Sequence, residues 1–160
     1  MLLAILSFFA GIAISSLFGD LVHRLIHKRW IPFLYESHMY HHQVLYPPNN
    51  MTSDAYKAAP WYKRGTFLFT PFALLASILF GYVAFALLGL ASCITLLVGL
   101  IGYGLVSDWV HDTFHLKTHK WHKYKHYRTL RSAHFKHHLD MSKNYGIITL
   151  YWDKKFGSKR

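Results

Sequence analysis

The stretch from Thr66 to Ser107 constrains the fold most, because its uninterrupted lack of charge fits few environments other than a lipid bilayer. It runs for about forty residues, enough for two bilayer spans of roughly twenty each. Met1 to Phe18 is a second uncharged run. Backbone groups in hydrocarbon must satisfy their own hydrogen bonds, so both runs are read as helices. The expected fold is an all-α integral membrane protein with about three transmembrane helices, near 1–20, 66–86 and 91–110. Gly89 to Ser92 is the turn between the last two. With 160 residues, 52% hydrophobic and only 16% charged, the chain is read as a single membrane domain, 1–160.

All 18 Lys and Arg residues fall outside these runs, between Arg24 and Arg64 or from Lys117 onward. By the bias of Lys and Arg toward the cytoplasmic face, the N-terminus lies outside and segments 21–65 and 111–160 are cytoplasmic. That topology suits a bacterial cytoplasmic membrane and an endoplasmic reticulum membrane alike. Met1 to Phe18 reads as an uncleaved anchor, since no Lys or Arg precedes it, basic residues follow it, and no small-x-small cleavage site is evident. The net charge of +11 and the stretch K-T-H-K-W-H-K-Y-K-H-Y-R are read as a face lying against anionic membrane lipids, with no nucleic acid partner. Cys93 is the single cysteine, so no intrachain disulfide can form.

The 13 histidines then share one side of the membrane, and most of them fall into a repeated pattern. D-L-V-H-R-L-I-H carries Asp20, His23 and His27, and S-H-M-Y-H-H carries His38, His41 and His42. Further on, D-W-V-H-D-T-F-H carries Asp108, His111 and His115, and A-H-F-K-H-H carries His134, His137 and His138. Spacings of three and four set side chains on one face of a helix, so each box can point its imidazoles at a common centre. Two half-sites are therefore expected to assemble one metal centre in a cytoplasmic helical cap. The first and third spans are expected to continue into their boxes without a break. Arg29 to Tyr35, interrupted by Pro32, reads as an interfacial segment, Pro47 and Pro48 mark a loop, and Pro71 is a candidate kink.

The ligand types narrow the chemistry. A carboxylate dimetal site needs several glutamates, and the one Glu here is Glu36. A hydrolytic zinc site needs three protein ligands, far fewer than ten. Ten imidazoles suit two ions with about five ligands each. Asp20 and Asp108, one turn before each first histidine, can brace a ligand's other ring nitrogen or simply mark the end of a span. Asp108 is read in the bracing role, and Asp20 stays open between the two. His119, His122 and His126 are assigned to a solvated basic face. Trp30, Phe33, Trp61, Trp109 and Phe114 are read as interfacial anchors or core ahead of a substrate route. A metal transporter would place ionisable ligands inside its spans, and Thr66 to Ser107 holds no His, Asp or Glu.

These boxes resemble the fatty acid hydroxylase and sterol desaturase superfamily of membrane-bound, histidine-box di-iron proteins. H-R-L-I-H, H-M-Y-H-H, H-D-T-F-H and H-F-K-H-H look like its four boxes. The Y-P-P after the second box, N-Y-G at Asn144 to Gly146 and W-D-K-K-F-G at Trp152 to Gly157 are also similar. The resemblance implies two iron ions held by the ten box histidines, dioxygen as co-substrate, and oxygen-dependent hydroxylation of a lipid C–H bond. A fatty acyl chain is the first choice of substrate. Carotenoid or sterol hydroxylation or desaturation, or a non-catalytic metal-binding or transport role, are the alternatives. About twenty residues precede the first box, so neither an extra span nor a fused haem domain of larger relatives is expected. Electrons would then come from a separate donor, a cytochrome-type carrier or a ferredoxin with its reductase.

Overall fold

The computed structural model describes residues 1–60, 64 and 69–160. Three long helices dominate it: α1 (Leu2–Ile26), α3 (Phe69–Leu88) and α4 (Leu90–Phe114). Each is long and apolar enough to cross a bilayer, with mean hydropathy of 2.2, 2.2 and 2.0. Their outer faces stay apolar and exposed, as at Leu3, Phe9, Ile78, Leu79, Leu87 and Val98. Such a surface is at home in lipid tails and costly in water. Among the described residues five shorter elements form the cap: α2 (Pro32–Tyr40), which runs into a π-helical turn at His41–Leu45, then a 3₁₀ turn at Lys120–Lys123, α5 (Lys125–Leu139) and α6 (Tyr151–Lys155).

The spans are held by close backbone approach. Ser7, Gly11, Ser15 and Gly19 recur every fourth residue and are all buried on α1. Small residues at that interval let helices meet without a hydrophobic driving force. A Cβ on Gly11 would sit 2.3 Å from the Leu96 carbonyl oxygen, and one on Gly99 would sit 2.3 Å from that of Phe8. The two contacts mirror each other, so α1 and α4 cross as related copies running the same way. Gly11 and Gly99, Asp20 and Asp108, His23 and His111, and His27 and His115 all stand at one constant spacing in the chain. The duplication of the boxes thus extends into the spans that carry them.

Two breakers behave differently from expectation. The turn between α3 and α4 shrinks to Gly89 alone, whose φ of 81° suits a residue without a Cβ. Pro71 is the third residue of α3 as described, a first-turn position where a missing N–H costs no intrahelical bond. The expected re-entry at Trp61 to Gly65 and the expected start of the second span at Thr66 lie outside the described residues, apart from Arg64.

Candidate metal centre

The C-terminal ends of α1 and α4 emerge at the same end of the bundle, bringing the first and third boxes together. His23 and His111 have ring centroids 6.5 Å apart. Helix α2 with its π turn, and helix α5, close over them. All ten box histidines are drawn into one imidazole core. Nine of them are 0–1% exposed, and His27 is half-buried.

Within that core are two groups. His23, His27, His38, His42 and His137 form the first, and His41, His115, His134 and His138 the second; in each group one nitrogen per ring lies within 4.8 Å of all the others. His111 stands beside the second group, its ring 4.5 Å from His134 and 4.9 Å from His41. Neither group belongs to a single half of the chain. His41 leaves its own box to join the second group, and His137 leaves its own to join the first. Helix geometry explains the exchange: at about 100° per residue, the i+4 position lies about 40° to one side of the first and the i+3 position about 60° to the other. The middle histidine of each His-x-x-His-His box is therefore splayed toward the neighbouring group.

Ring orientation is fixed by backbone carbonyls. The Nδ1–H of His23 donates to Tyr145 O at 2.6 Å, that of His137 to Lys143 O at 2.7 Å and that of His138 to Tyr46 O at 2.9 Å. His115 donates to Met51 O and His41 to Arg64 O, both at 2.8 Å. A carbonyl only accepts, so these five rings are protonated on Nδ1 and carry a lone pair on Nε2. The loop supplying Met51 is tied to the end of α4 where Ser53 N–H donates to His115 O. The Tyr46 ring also stacks on His115, with centroids 3.9 Å apart.

Those lone pairs converge. His134 Nε2 lies 2.9 Å from His115 Nε2 and 3.1 Å from His138 Nε2. His38 Nε2 lies 3.0–3.1 Å from the Nε2 atoms of His23, His27 and His42, and His27 is 3.0 Å from His137. One proton on His38 or His134 can bridge only one such contact, leaving nitrogens that face each other without hydrogen. A cation removes that conflict. Imidazole nitrogens about 2.1 Å from a first-row divalent ion and at right angles to each other stand about 3.0 Å apart, so the observed edges fit such ions. Buried His111 has no hydrogen-bond partner on either ring nitrogen and His41 none on Nε2, so each neutral ring keeps one lone pair for an ion.

The imidazoles outside the spans are held neutral. Burial, reinforced by His137, lowers the pKa of His27 to about 3. Burial also takes His137 and His138 to about 3. His41, His42, His115 and His134 are pushed well below the usual histidine value, first by burial and then by neighbouring rings. Neutral rings are the state a metal requires.

The aspartates do other work than bracing rings. Asp108 accepts from the backbone N–H groups of Phe69 and Thr70 and from the Thr70 hydroxyl, capping the start of α3. Asp20 pairs with Arg24, whose Nε lies 2.6 Å away. The ring nitrogen that Asp108 was expected to brace is unpartnered in His111, and the one left open for Asp20 is taken by Tyr145 O in His23. Backbone carbonyls orient His23 and four other rings instead, and sequence offers no signal for these because every residue carries one. His119 and His122 lie half-buried around Trp121 and Tyr127, away from both groups, and His126 is exposed. Phe114 is fully buried in a core cluster with Val110, Tyr127 and Leu130, whereas Trp30, Phe33 and Trp109 are exposed. Trp61 lies outside the described residues.

Comparison with curated proteins and with solved structures returns no match to the chain. The family model described as fatty acid hydroxylase matches residues 8–158, a range that includes all four boxes and the three spanning helices almost entire. The two buried histidine groups are what a dimetal member would need at those positions. The chain belongs to the fatty acid hydroxylase family.

Proposed function

We propose that the protein hydroxylates a C–H bond of a lipid, most directly of a fatty acyl chain, using dioxygen, two electrons, two protons and two iron ions. The reaction places one oxygen atom in the C–H bond and releases the other as water. The observation that carries this reading is the pair of interlocked imidazole groups at the ends of lipid-exposed helices. Iron held there would supply the reactivity toward dioxygen that imidazole lacks. The first ion would rest on His23, His27, His38, His42 and His137, and the second on His41, His115, His134 and His138 with His111 beside them. The all-nitrogen donor set suits iron, though imidazole also accepts zinc, copper and nickel.

The chain's own residues orient and shield. Carbonyls of Tyr46, Met51, Lys143 and Tyr145 hold rings in the tautomer that exposes Nε2. Complete burial of most of the rings keeps bulk water away from the reacting atoms. A groove of about 420 Å³ opens on His27, the one half-buried member, and mixes Tyr35, Met39, Met141 and Tyr145 with the polar side chains of Arg24, Lys28, Gln43 and Ser142. Trp30, Ile31 and Phe33, which are exposed beside it, suit the boundary between water and lipid. In this reading an acyl chain lies along Tyr35, Met39 and Met141 as it approaches His27. The outer face of α5, with Lys125, Arg128 and Lys136 exposed, offers a basic surface to an acidic electron donor. In this reading the cap is cytoplasmic and the N-terminus lies outside.

The test is lipid mass spectrometry on membranes from cells with and without the protein, alongside metal analysis of the purified chain. Two irons per chain and a lipid gaining one oxygen, formed only with dioxygen and a reductant, are expected. One bound haem, or tight metal binding without product under any donor, would refute the proposal.

A further inference from the structure

Asp153 is fully buried, belongs to none of the histidine boxes, and sits on the short helix α6 near the C-terminus. Its Oδ1 accepts from the backbone N–H of Tyr145 at 2.9 Å, from Ser158 Oγ at 2.6 Å and from an Arg24 guanidinium nitrogen at 3.4 Å. Its Oδ2 accepts from the N–H of Gly146 at 2.8 Å. The loop before α6 is stapled a second time at Asn144, whose N–H donates to Ser158 O and whose Oδ1 accepts from the N–H of Arg160. Asn144 has a φ of 52°, a left-handed conformation that asparagine adopts more readily than most residues with a side chain.

That same loop aims two carbonyls at the imidazole core. Tyr145 O holds His23, and Lys143 O holds His137. Both histidines belong to the first group. The rings of the second group are held from elsewhere, by Tyr46 O, Met51 O and Arg64 O. Two loops thus brace two groups, and the C-terminal segment clamps one of them.

We propose that Asp153 is a positioning residue for the first metal ion alone: by fixing the Tyr145 and Gly146 N–H groups, it sets the carbonyls that lock His23 and His137. The inference rests on the dimetal reading above. A carboxylate can accept from both N–H groups at once, whereas a carboxamide turns its NH₂ against one of them. Asp153→Asn therefore loosens the loop without emptying space. Partners that orient metal-bound histidines typically contribute 10–100-fold in metal affinity.

The experiment titrates the purified full chain, stripped of metal in detergent micelles, with cobalt(II), following visible absorption and counting bound metal. The wild-type chain is expected to take up two equivalents. In Asp153→Asn one equivalent should keep its affinity while the other weakens about 10–100-fold, splitting the titration into two steps. Ser158→Ala, which removes one hydrogen bond to the same carboxylate, should give a smaller split in the same direction, and it serves if the first variant fails to fold. Asp108→Asn is the comparison for a purely structural role, expected to lower the thermal midpoint while leaving the titration unsplit. Unchanged loading in Asp153→Asn, equal weakening of both equivalents, or an equal split in Asp108→Asn would each overturn the inference alone. A wild-type chain that binds no cobalt would overturn the dimetal reading and this inference with it.

Discussion

Acidification from pH 7.5 to 5.5 should strip the metal-free cap of much of its stability before any ordinary carboxylate titrates. His27, His137 and His138 are held to about 3, in each case first by burial. In an unfolded chain the same rings titrate near 6.5. Between those values the unfolded chain takes up protons that the folded one refuses, so their contribution is complete above about pH 6.5 and is lost as the pH falls. At pH 5.5 each ring costs about 1.4 kcal/mol, and the three together cost about 4 kcal/mol. That is a large part of the roughly 5–15 kcal/mol that holds a typical domain. His41, His42, His115 and His134 are displaced in the same direction and add to the loss. The assay is thermal unfolding in detergent micelles from pH 8 to 5, followed by near-ultraviolet circular dichroism. The slope of stability against pH, divided by about 1.4 kcal/mol, counts the protons taken up on unfolding. Three or more are expected over the lower part of the range. A flat profile from pH 7.5 to 5.5, or a slope of one proton or less, would refute the claim that the core holds its imidazoles neutral.

Two substitutions probe the site and the spans separately. His111→Ala should abolish turnover and lower bound iron, because that ring is fully buried beside the second group, whereas His122→Ala, at a ring packed on Tyr127 away from both groups, should leave both within about twofold. Metal analysis and product formation decide it, and equal damage from the two would erase the division between core and surface histidines. Gly11→Ala would drive a Cβ to 2.3 Å from the Leu96 carbonyl oxygen and so push α1 from α4, a cost of about 1–3 kcal/mol; Gly102→Ala, with nothing within 4 Å, should be close to neutral. Thermal midpoints in micelles that fail to separate these two variants would show that the α1–α4 crossing tolerates spreading.

The spans were legible because exclusion of charge over that length has few physical meanings, and their continuation into the boxes because no breaker intervenes at Gly19 or Gly104. The start and end of a helix are less legible than its existence. Pro71 signals a kink only if its position in the helix is known, and the first turn is where a proline does no harm. Asp108 shows a similar limit. Its spacing from His111 suits a bracing carboxylate, but Thr70, distant in sequence, arrives beside it with a backbone N–H and a hydroxyl to be satisfied. Asp153 lies in a stretch that the family resemblance picked out, W-D-K-K-F-G, yet nothing local says that its carboxylate reaches Tyr145 and Gly146.

The exchange of His41 and His137 is the part that spacing alone left hidden, and it changes what the duplication means. Two repeated halves, each with its own complete set of ligands, would be two independent sites joined by a linker. Here each half sends one imidazole across to the other's group. An ion in the first group would therefore draw on the end of α1, on α2 with its π turn and on α5 at once, and an ion in the second would draw on the same π turn, the end of α4 and α5. Neither can be completed until both halves have packed, and the close glycine crossing of α1 on α4 is what brings them within reach. The small residues within the spans and the histidines at their ends are parts of one device. The first sets the separation of the two helices, and the second is usable only at that separation.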